Sequence, residues 1–151
     1  MLSPQLRIEY GNFLARHDWA FFGTLTFARD VTPLEAWAAF RGWARKLAMA
    51  NATHIRVAVV MEHTKGGRPH FHLLLQGDLL PLTFKRDEAR RSWRSTLKGR
   101  TGNTRFARFR PGPKAYWYMT KAGEPEMLVA CPRPPRCRRA KGGCAEAPGC
   151  W

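Results

Sequence analysis

The sequence predicts an α+β domain built on an antiparallel sheet. Three observations lead there: apolar and polar side chains alternate over 19–27, 54–62 and 70–76, a glycine pair separates the last two of these segments, and a capped helical pattern follows the first. Alternation with a period of two puts successive side chains on opposite faces of a strand. Strands joined by a short connection must run antiparallel. A chain of 151 residues suits one domain with an apolar core and is short for two. The expected division is a domain over 1–130 and a tail over 131–151.

The first strand places Phe21, Leu25 and Phe27 on one face and Thr24 and Thr26 on the other. Thr32, Pro33 and Glu35 then supply an N-cap, a proline at the first helical position and a capping-box glutamate. With Leu34, Trp37, Ala44 and Leu47 behind them, they predict a helix of about 16 residues. In the second strand Ile55, Val57, Val59 and Met61 share a face, and Glu62 ends the other. After Gly66-Gly67, the third strand puts Phe71, Leu73 and Leu75 in the core and His70 and His72 opposite. A helix near 85–98, a strand near 104–109 and a helix after Pro113 complete the expected elements.

Lys and Arg number 26 against 11 acidic residues, a formal charge of +15, so a polyanion is the expected partner. The excess is concentrated over 85–121, where twelve basic residues face only Asp87 and Glu88 and are interleaved with six aromatics, Trp93, Phe106, Phe109, Tyr116, Trp117 and Tyr118. Cations that track phosphates and rings that stack on bases suit single strands. No run of about 20 apolar residues is present and the first ten residues lack a signal-peptide core, so a cytoplasmic protein without membrane contact is expected. Cys131, Cys137, Cys144 and Cys150 all lie in the tail and lack the close pairing usual in zinc modules. A flexible, basic, DNA-tethering segment is expected there.

Two groups of residues carry chemistry. Histidines at i and i+2 on a strand point the same way, about 7 Å apart at ~3.3 Å per residue, so one cation can meet His70 and His72. Glu62 joins them if the hairpin sets it opposite either one, which requires an odd number of loop residues. A positive φ is expected at the third loop position, where glycine fits. Two imidazoles and a carboxylate with open positions suit a divalent cation acting as a Lewis acid. The second group is Tyr118 and Lys121, neighbours on one helix face, where an ammonium stabilises charge developing on a phenol used as nucleophile. Tyr116 points some 160° from Tyr118 on such a helix.

Taken together, Phe-Phe-Gly-Thr-Leu-Thr-Phe at 21–27, Glu62 with Arg68-Pro-His-Phe-His-Leu-Leu-Leu75, and Tyr118-Met-Thr-Lys-Ala-Gly-Glu124 resemble, in order and spacing, three motifs of the HUH endonucleases. The resemblance is in particular to the rolling-circle replication initiators. The resemblance covers 19 to about 124 and implies a five-stranded antiparallel sheet with packed helices, ferredoxin-like, and Mg²⁺ or Mn²⁺ held on the exposed sheet face by Glu62, His70 and His72. It implies attack by Tyr118 on the scissile phosphorus of single-stranded DNA, at an origin or hairpin. A 5′-phosphotyrosine and a free 3′-OH would result, with Lys121 assisting at the phosphate. Thr24, Thr26, Arg68, Arg105, Arg108, Arg110 and Tyr116 are the candidate DNA contacts.

Within the same chemistry the alternative is a single-tyrosine transposase, which typically carries a glutamine on the tyrosine's helix; here Lys121 sits one turn on from Tyr118, and the upstream Thr-Leu-Thr stretch fits an initiator better. A relaxase would have its tyrosines near the N-terminus. From other classes, a catalytically inactive nucleic-acid-binding module would not need the five site residues intact, and an iron oxygenase would need a small organic substrate. No phosphate-loop motif Gly-x-x-x-x-Gly-Lys-Ser/Thr occurs, so a host helicase is the expected source of unwinding.

Overall fold

Five strands, β1 (Phe21–Phe27), β2 (Ile55–His63), β3 (Pro69–Gln76), β4 (Thr101–Arg108) and β5 (Glu126–Ala130), form one sheet in the order β4-β1-β3-β2-β5. Every neighbouring pair is antiparallel. The helices are α1 (Pro4–Leu14), α2 (Pro33–Ala50), α3 (Leu80–Thr83), α4 (Arg86–Arg94) and α5 (Pro113–Thr120). The structure is a computed structural model and describes residues 2–78, 80–121 and 125–131. The chain is thus α+β with a five-stranded antiparallel sheet and helices packed on it. The tail expected over 131–151 lies, Cys131 apart, outside the described residues, as do the three motif residues 122–124. Among the described residues no helix is long and apolar enough to cross a membrane.

Both faces of the sheet are covered, and the central strand shows why. On one face Phe71, Leu73 and Leu75 of β3 join Val57, Val59, Phe40, Trp43 and Trp93 in the larger core, beneath α2 and α4. On the other, Leu74 packs with Ala58, Val60, Leu14 of α1 and Met119 of α5. Residues 57–60 are buried without a break, the pattern of a strand covered on two sides. His70 and His72 lie on the α5 side, beyond the apolar part of that face.

The capping box of α2 is formed: Glu35 N donates to Thr32 Oγ1 at 3.2 Å, and Thr32 N donates to Glu35 Oε2 at 2.8 Å. Its buried stripe runs through Ala36, Phe40, Trp43 and Leu47, at intervals of four, three and four. Leu34, expected on that stripe, is 81% exposed because it sits on the solvent side of the first turn. The same Glu35 receives Arg100 at 2.8 Å, which ties the start of α2 to the residue ahead of β4. Arg100, more than any other contact, with the two Thr32 bonds, holds the Glu35 carboxyl down at about 2.

A carboxylate with a depressed folded pKa contributes stability that is complete above its unfolded value and is lost as pH falls through the folded one. Wild type is therefore expected to melt above a Glu35→Gln variant at pH 7. The gap should close between about pH 4.5 and 2, and high salt should shrink it because the pair is exposed. A gap independent of pH, measured by thermal melts across this range, would refute the assignment.

The sequence reading differs from the structure at the ends. α4 stops at Arg94 rather than near 98, and β4 begins at Thr101 rather than near 104. The early start follows from a register shift against β1 between Leu25 and Phe27. Gly102 fits there because a Cβ would come within 2.6 Å of Thr26 Oγ1. α1 and α3 have no counterpart in the sequence reading, and the fifth strand that the resemblance implies is β5, which no residue pattern had placed.

Candidate functional site

The β2–β3 hairpin builds the site. Its ladder pairs His63 with Pro69 and Glu62 with His70, so the loop has an odd number of residues, Thr64 to Arg68. Gly67 takes the positive φ of +80°, at the fourth loop position rather than the third. Thr64 closes the turn through its own N–H to the Arg68 carbonyl at 2.8 Å, and its hydroxyl accepts from Arg68 N at 3.2 Å. Cross-strand partners share a face, so Glu62, His70 and Thr26 form one row across the sheet, and Val60, His72, Thr24 and Arg105 the next.

In this arrangement Glu62 Oε2 lies 3.3 Å from His70 Nε2 and 3.5 Å from His72 Nε2. One donor atom from each of the three lies within 4.8 Å of the others. The three side chains are only 12–14% exposed, so they occupy a recess beside α5 rather than an open sheet face. Two details fit a divalent cation here. Glu62 Oε1 is buried without a hydrogen-bond donor, an expense that a cation would remove. Burial lowers the His72 pKa, against the pull of Glu62 and with help from His70 and Lys121, which favours the neutral imidazole that a cation binds. With its proton on Nδ1, His72 donates to Thr24 Oγ1 at 3.3 Å and leaves Nε2 facing Glu62.

Tyr118 lies over this recess. Its ring centroid is 6.0 Å from that of His72, and the side chain is about half-exposed, 48%. Met119, fully buried against Leu74 and Val60, anchors the helix so that the residue before it reaches the site. Tyr116 instead packs on Phe109 and the smaller core, and burial raises its phenol above the ordinary value. Lys121 caps α5 with its ammonium 5.8 Å from the Trp117 ring centroid. It is thus joined to a ring one turn back that sequence reasoning had not placed in the site. The i, i+4 spacing of Trp117 and Lys121 was the available signal.

The expected DNA contacts divide. Arg105 shares a row with Thr24 and His72, exposed on the edge strand. Arg68 donates to the Ala28 carbonyl at 3.1 Å and, with Thr26, Arg94 and Asn103, lines a polar cleft of about 430 Å³ next to the His70 row. Thr26 is engaged within the fold, donating to the Asn103 carbonyl at 2.9 Å. Thr24 supports His72, as above, a role that a neighbour 48 residues away does not announce in sequence. Arg108 pairs with Phe21 and so belongs to the α2 face, away from the triad, while Arg110 is exposed beyond the end of β4. Compared with protein-family models, with curated proteins and with solved structures, the chain matches none.

Proposed function

We propose that this chain is a metal-dependent endonuclease that nicks single-stranded DNA with Tyr118 and remains attached to the 5′ phosphate, as an HUH initiator of rolling-circle replication does. The observation that carries the reading is the convergence of a Glu-His-His triad with a half-exposed tyrosine, ring centroids 6.0 Å apart, in a chain of charge +15. Glu62, His70 and His72 would hold Mg²⁺ or Mn²⁺, which supplies Lewis-acid activation of the phosphodiester when bound. Tyr118 forms the new P–O bond and loses its proton as the 3′ oxygen leaves with a proton. The exchange of one phosphodiester for another keeps the bond energy for rejoining. Lys121 offsets charge at the reacting phosphate, and Thr24 keeps His72 in its orientation.

The test is incubation of the protein with a labelled pool of random single-stranded 20-mers and Mn²⁺, followed by denaturing electrophoresis. A covalent protein–DNA species that needs the cation is expected. Tight binding without any such species would mark a basic binding module instead, and the initiator reading would fail.

A further inference from the structure

We infer that the cleft between α1 and α5 is a pocket for one unpaired nucleobase, the neighbour of the nucleotide that Tyr118 attacks. The inference rests on the reading above and adds a binding site to it. The cleft, of about 400 Å³, is lined by Arg7, Asn12, Gly112, Tyr116, Trp117 and Thr120 among others and is mainly apolar. Its volume exceeds that of a purine ring system. Trp117 is 49% exposed, a large apolar ring left in water by a fold that buries Trp43 and Trp93 completely. Gly11 of α1 faces α5 here, and a Cβ added to it would sit 3.7 Å from Tyr116 Cβ, so a larger side chain at this position would project into the cleft.

Three features make a base the fitting occupant. First, Trp117 and Tyr118 are consecutive, with ring centroids 5.8 Å apart and planes at 89°. A strand whose phosphate lies at Tyr118 therefore brings an adjoining base within reach of the indole face. Second, Lys121 sits over that same indole, so the platform carries a cation beside it for the connecting phosphate. Third, Arg7 Nε is buried and has no hydrogen-bond partner, and Asn12 stands in the same wall. A guanidinium only donates, so it matches a base edge that offers acceptors, as guanine does with O6 and N7. In a duplex both ring faces of each base are covered by its stacked neighbours, so a pocket that stacks a base on Trp117 selects single strands.

Binding is measured without chemistry, by fluorescence anisotropy in EDTA, with the random single-stranded 20-mer pool and a 20-bp duplex as probes. Trp117→Ala is expected to weaken single-strand binding about tenfold, within the range for loss of one stacked base, and to leave duplex binding unchanged. Trp117→Phe should recover most of the loss. Gly11→Leu, which fills the cleft and removes no aromatic, should reproduce the Trp117→Ala result even if that variant folds poorly. Photocrosslinking with 5-iododeoxyuridine in the pool should mark Trp117 or Tyr116. Equal losses on both probes, or wild-type single-strand affinity in Gly11→Leu together with crosslinks only outside the cleft, would overturn the pocket and leave the nuclease reading standing. Absence of single-strand binding by wild type would remove both.

Discussion

Tyr118→Phe is expected to abolish nicking and the covalent adduct together, a drop of at least about a thousandfold, the scale on which loss of a nucleophile acts. The substitution removes one oxygen from a side chain that is half-exposed over the triad and packs edge-on to His72, so folding and DNA affinity should change little. Tyr116→Phe should leave the adduct in place. Its ring lies between Phe109 and the smaller core, and burial makes its phenol harder to ionise than an ordinary one. Peptide mapping of the trapped complex separates the two: nucleotide on Tyr118 supports the assignment, and nucleotide on Tyr116 would overturn it. Residual nicking by Tyr118→Phe, with a free 5′ phosphate and no adduct, would point to water as nucleophile and to a different class of nuclease.

The hairpin was legible because its geometry is local. Parity alone demands an odd loop if Glu62 is to meet either histidine, and the ladder pairs Glu62 with His70. The apolar face of β3 was legible for the same reason, since Phe71, Leu73 and Leu75 follow a period of two. What escaped depends on partners distant in sequence. β5 is an edge strand whose Met127, Leu128 and Val129 are only half-buried, and it acquires its identity by pairing with β2, some seventy residues earlier, rather than from its own pattern. α1 has one buried residue, Leu14, so it lacks a stripe that periodicity would detect. The depth of the Glu62–His70–His72 recess and the exposure of Trp117 both follow from how α1 and α5 lie on the sheet, and no spacing in the sequence encodes that. The candidate DNA contacts show the same limit: Arg105 and Arg108 look equivalent by charge, yet the pairing of Thr24 with Arg105 and of Phe21 with Arg108 puts them on opposite faces.

Replacing His70 and His72 by Ala together is expected to reduce nicking as far as chelation does, to the background of the assay, while single-stranded DNA still binds. The separation arises because affinity draws mainly on exposed Lys and Arg, which the double substitution leaves untouched. Metal binding offers a readout apart from activity. Mn²⁺ that binds the folded protein and not the unfolded chain raises the melting temperature by mass action, so wild type should gain stability as Mn²⁺ is titrated. The double variant should not, because Glu62 alone cannot replace two imidazoles whose Nε2 atoms lie 3.3 and 3.5 Å from its carboxylate. Thr24→Val should fall between them: His72 loses the hydroxyl that orients its ring, and losses of this kind typically cost about 10- to 100-fold in metal affinity or activity. Its nicking should therefore recover at high Mn²⁺, whereas that of the double variant should not. Full nicking by the double variant in EDTA, or an identical Mn²⁺ stabilisation in variant and wild type, would remove the triad from the mechanism and leave the buried, donorless Glu62 Oε1 needing another explanation.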